Sequence, residues 1–266
     1  MFNSVSNLGI GNRSTLHAWR DEPGLSKQEQ KSRQKATEEF EKACRARGRG
    51  ESCAVYLEGT ALSSLPTAIG ELTNLTSLRL ARNNLRTLPA EIGHLTNLTA
   101  LELKNNELQS LPAEIGALGK LKCLHLQNNQ IRGLPAEMSK LTSLQVVHLA
   151  GNQLQTVPSA IRELTNLTML DISKNRLKTV SSAVENLPKL KELNVSHNQL
   201  DGCLLEIVSL PADCQVNADR NRVLKLGVIL TREAIDKMRQ AVPTQGPEIS
   251  FEDQLPRQDQ FDHAAT

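Results

Sequence analysis

Two histidines and an aspartate recur at one interval: His125, His148 and Asp171 each stand 23 residues apart. Imidazole with carboxylate is a donor set that binds borderline transition metals. Two residues before His125 lies Cys123, a thiol that an adjacent imidazole could activate as a nucleophile. The interval itself argues against both chemistries. Side chains recurring at a fixed long period fall on successive strands of a stack. The outer two would then be about 9.6 Å apart at the backbone, two strand spacings. Ligands of one ion must instead converge to about 2 Å from it. No pocket or oxyanion hole is implied beside Cys123. The five cysteines (Cys44, Cys53, Cys123, Cys203, Cys214) are odd in number and scattered, without a Cys-x-x-Cys pair. They read as free thiols of a reducing compartment. No catalytic residue, cofactor or metal is expected.

The element that must carry these residues is written six times. Leu75, Leu78, Leu80, Asn83 and Leu85 begin a phrase that returns every 23 residues without insertion. Its last full copy is Leu190, Leu193, Val195, Asn198 and Leu200. Leu78 and Leu80 are two apart, the strand period, so both point into the stack while Ser77, Arg79 and Ala81 face outward. Each copy therefore adds one short strand to a parallel sheet. The recurring Asn stands where the chain leaves the strand, with an amide able to satisfy buried backbone groups. Between strands, Leu88-Pro-Ala-Glu-Ile-Gly is echoed by Leu111-Pro-Ala-Glu-Ile-Gly. There Ile92 and Leu95, three apart, predict a short helical or 3₁₀ segment on the convex side. Pro89, Pro112, Pro135 and Pro158 fix φ at its entry.

The ends of the array are degenerate. Thr60 stands in for the first Asn, and Val216, Asn221 and Val223 keep register at the far end. Terminal coils face water, which explains the change. The expected organisation is a disordered leader over 1–25, a helical cap over 26–50 and a solenoid over 51–224. A capping helix over 225–242 and a disordered tail over 243–266 follow. Composition fits a leucine-layered rod: 39% of residues are hydrophobic but only 2% aromatic. A net charge of +2, without basic patches interleaved with aromatics, gives no reason to expect nucleic acid. No long apolar run suggests a membrane span. The glycosylation matches at Asn74, Asn97 and Asn166 arise from the repeated phrase Leu-Thr-Asn-Leu-Thr or close variants of it.

Aligning the copies turns the sequence into rows on the outer side of the sheet. One row runs Ser77, Ala100, Cys123, Val146, Met169, Glu192, and the next Arg79, Glu102, His125, His148, Asp171, Asn194. The inward positions barely change while these vary freely, as a binding face does on a fixed scaffold. Cys123, Val146 and Met169 are expected to form an exposed apolar stripe beside the histidines. A small apolar centre with a polar rim is the anatomy of a protein interface. The candidate partner-binding residues are Arg79, Glu102, Cys123, His125, Val146, His148, Met169, Asp171, Glu192 and Asn194, with Val146, Met169, His125 and His148 at their centre.

The phrase Leu-x-x-Leu-x-Leu-x-x-Asn-x-Leu resembles the leucine-rich-repeat superfamily over roughly residues 53–224. That resemblance implies an α/β leucine-rich-repeat solenoid of about eight coils. Its parallel β-sheet would lie on the concave face, with short helical or 3₁₀ segments on the convex face and helical caps. Leu-Pro-x-x-Ile-Gly-x-Leu-Thr is similar to plant Ras-group-related leucine-rich-repeat proteins. Ser209-Leu-Pro-Ala-Asp-Cys-Gln-Val-Asn217 resembles the closing repeat of bacterial type III secreted effectors. Many such effectors continue into a ubiquitin ligase with a Cys-x-Asp motif, and that motif is absent here. The expected function is a monomeric protein-interaction scaffold, not an enzyme, binding a partner protein on the concave sheet. Neither nucleic acid nor membrane is an expected partner. The implied setting is a bacterial effector delivered into a host cell, and otherwise the cytoplasm. A ubiquitin-ligase-type effector and a cytoplasmic signalling adaptor are the alternatives.

Overall fold

The computed structural model describes residues 13–180, 182–201, 210–211, 213–221 and 248–250. Eight strands follow one another in both sequence and space: β1 (Cys53–Tyr56), β2 (Leu75–Arg79), β3 (Ala100–Glu102), β4 (Cys123–His125), β5 (Val146–His148), β6 (Met169–Asp171), β7 (Glu192–Asn194) and β8 (Gln215–Asn217). Every neighbouring pair is parallel. The register is constant, so Leu78, Leu101, Leu124, Val147, Leu170, Leu193 and Val216 form one rung through the sheet. The middle members of that rung are wholly buried. The fold is therefore a leucine-rich-repeat solenoid of eight coils, with its strands on one face and 3₁₀ turns on the other.

The turns follow from their sequence. In each of five coils a proline with extended backbone, such as Pro89 at φ −68° and ψ 150°, precedes a five-residue 3₁₀ segment. These run Thr67–Glu71, Ala90–His94, Ala113–Ala117, Ala136–Lys140 and Ser159–Glu163. Two i→i+3 bonds close each one; in the second, Ile92 N donates to Pro89 O and Leu95 N to Ile92 O. The spacing of three puts Ile92 and Leu95 on the buried side. In the sixth coil Ser181 takes the proline position, and the segment shrinks to Ser182–Val184. Neighbouring turns pack closely. A methyl group added at Gly116 would lie 2.4 Å from the carbonyl oxygen of Glu137, and one at Gly93 would lie 2.6 Å from that of Glu114.

Each coil is closed by its asparagine. Asn106 Nδ2 donates to Leu103 O of its own coil and Leu80 O of the preceding one, and its Oδ1 accepts from Leu85 N. Asn83, Asn129, Asn152, Asn175, Asn198 and Asn221 donate to the equivalent carbonyls of their own and the preceding coil. Where Thr60 replaces the amide, its hydroxyl donates to Leu57 O and Asn83 Oδ1 accepts from Thr60 N. The residue before each ladder Asn takes a left-handed backbone: Arg82, Asn105, Asn128, Gly151, Lys174, His197 and Arg220 all have φ between 52° and 68°.

Two helices cover the first coil: α1 (Arg13–Arg20) and α2 (Lys27–Gly48). Ser26 caps α2 by accepting from Glu29 N, and Ala36, Phe40, Ala43 and Cys44 share a core with Val55 and Leu57. Arg33, almost fully buried, ties the cap to the array. It donates to Trp19 O, Glu22, Glu29 and Ser64 while its guanidinium lies 4.9 Å over the Trp19 ring. Helix α1 corrects the expectation of a disordered leader over 1–25 for residues 13–20, residues 1–12 lying outside those described: Leu16 is buried and Trp19 packs at 6.4 Å from Phe40. One apolar turn docked on another helix escapes a reading by composition. Within the segment 243–266, expected to be disordered, residues Glu248–Ser250 run as β9, parallel to β8. The remainder of that segment, the expected capping helix over 225–242 and Cys203 lie outside the described residues.

Gly116→Ala should destabilise the protein by about 1–3 kcal/mol, because a packed backbone must shift to admit the methyl group. Gly133→Ala, with nothing within 4 Å of the added carbon, should be close to neutral when the two variants are compared by urea titration.

Candidate functional site

All ten residues singled out by the repeat alignment fall on the sheet, in two adjacent rows. Strand pairing aligns Cys123 with Val146, Val146 with Met169 and Met169 with Glu192. It likewise aligns Arg79, Glu102, His125, His148, Asp171 and Asn194. Side chains in one row of a parallel sheet are one strand spacing apart, about 4.8 Å. Two histidines in the same row must therefore stack. The rings of His125 and His148 lie 4.9 Å apart with their planes 12° from parallel. On the far side of His148, its Nδ1 is 3.9 Å from Asp171 Oδ2.

That crowding corrects the expected exposed apolar stripe. Val146 and Met169 are only 6% and 8% exposed, His148 only 1%, and Asp171 is buried as well. Cys123 is half-buried. The concave rows lean on one another, so the centre of the sheet covers itself. What remains open is the periphery: Arg79 is exposed, and Glu102, His125, Glu192 and Asn194 are half-buried. The later members of the second row also serve the backbone. Asp171 Oδ1 accepts from Ser173 N, Asn194 Oδ1 from Ser196 N and Asn217 Oδ1 from Asp219 N. Such local bonds fix those side chains and leave less of each for a partner.

One residue that belongs to the face was missed. Tyr56 heads the second row, aligned with Arg79, and at 54% it is the one large hydrophobic side chain exposed among the described residues. The Arg79 guanidinium lies 5.3 Å from its ring centre, a cation–π contact. Arg79 also approaches Glu102 at 3.8 Å, and Lys104 pairs with Glu102 at 3.0 Å. The signal was available: Tyr56 stands between Val55 and Leu57, the two inward residues of a degenerate coil, in a chain with a single tyrosine. An aromatic at an outward position, stacked by arginine, is a common anchor of protein interfaces.

The thiols are poorly suited to nucleophilic chemistry. Burial pushes the Cys123 thiol up from its ordinary value, and does the same at Cys44 and Cys53. Cys214 is pushed up to about 12, chiefly by burial and then by the charges of Asp213 and Glu192. All four are free thiols. Among the described residues no group of three His, Cys, Asp or Glu side chains could hold a metal ion. No described helix is long and apolar enough to cross a membrane.

The comparisons with known proteins agree with this geometry. A family model for a leucine-rich repeat region matches residues 55–152, and a second leucine-rich-repeat model matches residues 142–200. No curated protein sequence matches the chain. Among solved structures, a leucine-rich-repeat protein of Leptospira interrogans is 32% identical, with a TM-score of 0.57 over 66% of this chain and 52% of its own. The functional domain of InlJ from Listeria monocytogenes, which includes a cysteine ladder, is 26% identical. Its TM-score is 0.53 over 63% of this chain and 35% of that one. The plant peptide hormone receptor RGFR1, solved in complex with RGF2, is 25% identical, with a TM-score of 0.53 over 67% of this chain and 34% of the receptor. The chain thus spans between a third and about half of these structures.

Met169→Glu should cost at least about 2 kcal/mol of stability, since it buries a carboxylate opposite Glu192 in the same row. A melting temperature equal to that of the wild type would show this row to be solvated. Cys123 should alkylate with iodoacetamide at pH 8 more slowly than a free cysteine, because a raised thiol pKa leaves less thiolate there.

Proposed function

Residues 55–200 being leucine-rich repeats, we propose that the chain is a non-catalytic scaffold that holds a partner protein against its concave sheet. The observation that carries this is the contrast within each strand. Inward positions from Leu78 to Leu193 repeat as buried aliphatic residues, while the outward rows carry a different side chain in almost every coil. A fold needs only the first pattern, and the second is the part free to be chosen for a partner.

The contact most suited to anchoring is the open end of the sheet, where Tyr56, Arg79, Glu102 and Lys104 form a stacked and charged cluster. His125, Glu192 and Asn194 would extend the contact along the rows. The buried set Val146, His148, Met169 and Asp171 would shape the floor beneath it. Thiol nucleophilic chemistry is disfavoured at Cys123 and Cys214, whose pKa values burial raises. The receptor among the similar structures holds a peptide hormone, which shows that a leucine-rich-repeat solenoid can bind a protein ligand.

The setting belongs to the same proposal. Similarity to bacterial leucine-rich-repeat structures and the Leu210-Pro-Ala-Asp-Cys-Gln-Val closing phrase favour a bacterial effector delivered into a host cell. A reporter fused to residues 1–50 should then be exported through a type III apparatus, and its retention in the bacterium would reject delivery.

The scaffold reading is tested by capture. A partner retained from host lysate by the wild-type protein should be lost with the double variant Tyr56→Ala, Arg79→Ala, which truncates two exposed side chains and should keep the wild-type melting curve. Lys140→Glu on the convex side should retain it. Equal capture by all three proteins would place the contact elsewhere than the sheet.

A further inference from the structure

The charges along the edge of the concave face divide it in two. In the early coils several cations have an acid beside them: Arg82 pairs with Glu58 at 3.5 Å, Arg86 with Glu107 at 3.0 Å, and Arg79 and Lys104 share Glu102. In the late coils Lys174, His197 and Arg220 occupy successive places in the left-handed row that precedes each ladder Asn. Among the described residues no carboxylate forms an ion pair with Lys174 or Arg220, and both are exposed. The backbone locks them in line. Lys174 N donates to Ser196 O and His197 N to Asp219 O, so each is one strand spacing from the next. Three basic side chains thus stand on one edge within about 9.6 Å.

The row is unfavourable for the residues that occupy it. At φ of 52–54° a side chain with a Cβ is crowded, and glycine or asparagine fits better. The middle coils use them, with Asn105, Asn128 and Gly151. Basic residues at the next three places, of which Lys174 and Arg220 are the cations, are therefore not what the backbone prefers. They raise one another's potential as well: the pKa of His197 is lowered by burial first, then by Arg220 and Lys174, with Asp219 opposing. Strained positions whose charges are mainly of one sign, with Asp219 opposing, suit a function in binding.

We propose that Lys174, His197 and Arg220 form a rim that holds an extended acidic segment of a partner protein. Carboxylates two residues apart on an extended chain are separated by about 6.8 Å, which fits between the outer two cations. The short span and the neighbouring Asp219 favour a few carboxylates over a nucleic acid. Nucleic acids are held along longer tracks with stacking aromatics. The rim rests on the scaffold reading for its purpose, yet it lies beyond the strand rows and its binding does not depend on Tyr56 or Arg79.

The test is fluorescence anisotropy with a fluorescein-labelled decapeptide of alternating aspartate and serine, added to the full chain in low salt. Saturable binding is expected, weakened at least about tenfold by Lys174→Gly with Arg220→Gly. Glycine suits the left-handed backbone, so this variant should melt no lower than the wild type, and lost binding would report the charges rather than misfolding. Tyr56→Ala with Arg79→Ala should bind the peptide as the wild type does, which separates this rim from the sheet contact. The proposal is overturned if the wild type shows no saturable binding, or if the double glycine variant binds equally well. Equal affinity for oligodeoxythymidine of the same charge would also overturn it.

Discussion

One side-chain amide per coil holds the array in register. A parallel stack of short strands leaves backbone groups at every exit from the sheet, buried between coils with no strand partner. The ladder Asn answers with both ends of its amide, donating to carbonyls of two coils and accepting an N–H of the preceding one. Leaving such groups unsatisfied would cost about 1–3 kcal/mol each. Aspartate would lose the donors, and glutamine would place its amide one carbon too far out. The fixed period follows: a coil one residue longer would bring its amide out of reach of its neighbour. At the first coil Thr60 supplies only a hydroxyl, and Asn83 Oδ1 accepts from both Thr60 N and Leu62 N.

With register fixed, everything on the face is arranged by strand spacing. Residues at equal places in successive coils become neighbours, whatever their chemistry. His125 stacks on His148 for that reason, and Arg79 on Tyr56. The same rule crowds the centre of the concave face until Val146, His148 and Met169 cover one another, and it leaves the two ends more open. Recognition would then be divided between an aromatic and charged cluster in the early coils and a basic edge in the late ones.

The convex side is constrained in a different way. Proline sets the direction of each 3₁₀ turn, and glycine at positions 70, 93 and 116 lets the next turn approach within van der Waals contact. Later coils place Ser139 and Arg162 at the corresponding positions. The array is thus most regular through its early and middle coils.

The sequence by itself determined the coil, the inward leucines, the ladder asparagines, the convex prolines and which residues share a row. Each is a local rule repeated at a fixed interval, and regular recurrence is enough to read it. Burial within the rows was decided only by the tertiary structure. Whether Met169 is open depends on how far neighbouring strands lean together, and no single coil encodes that. Helix α1 escaped notice because Leu16 and Trp19 gain their meaning from α2 and Ser64, which are distant in the chain. Tyr56 was hidden in an irregular coil. The left-handed row of Lys174, His197 and Arg220 was invisible for the same physical reason: sequence names the residue, while the turn that strains and aligns it exists only once the coils are stacked.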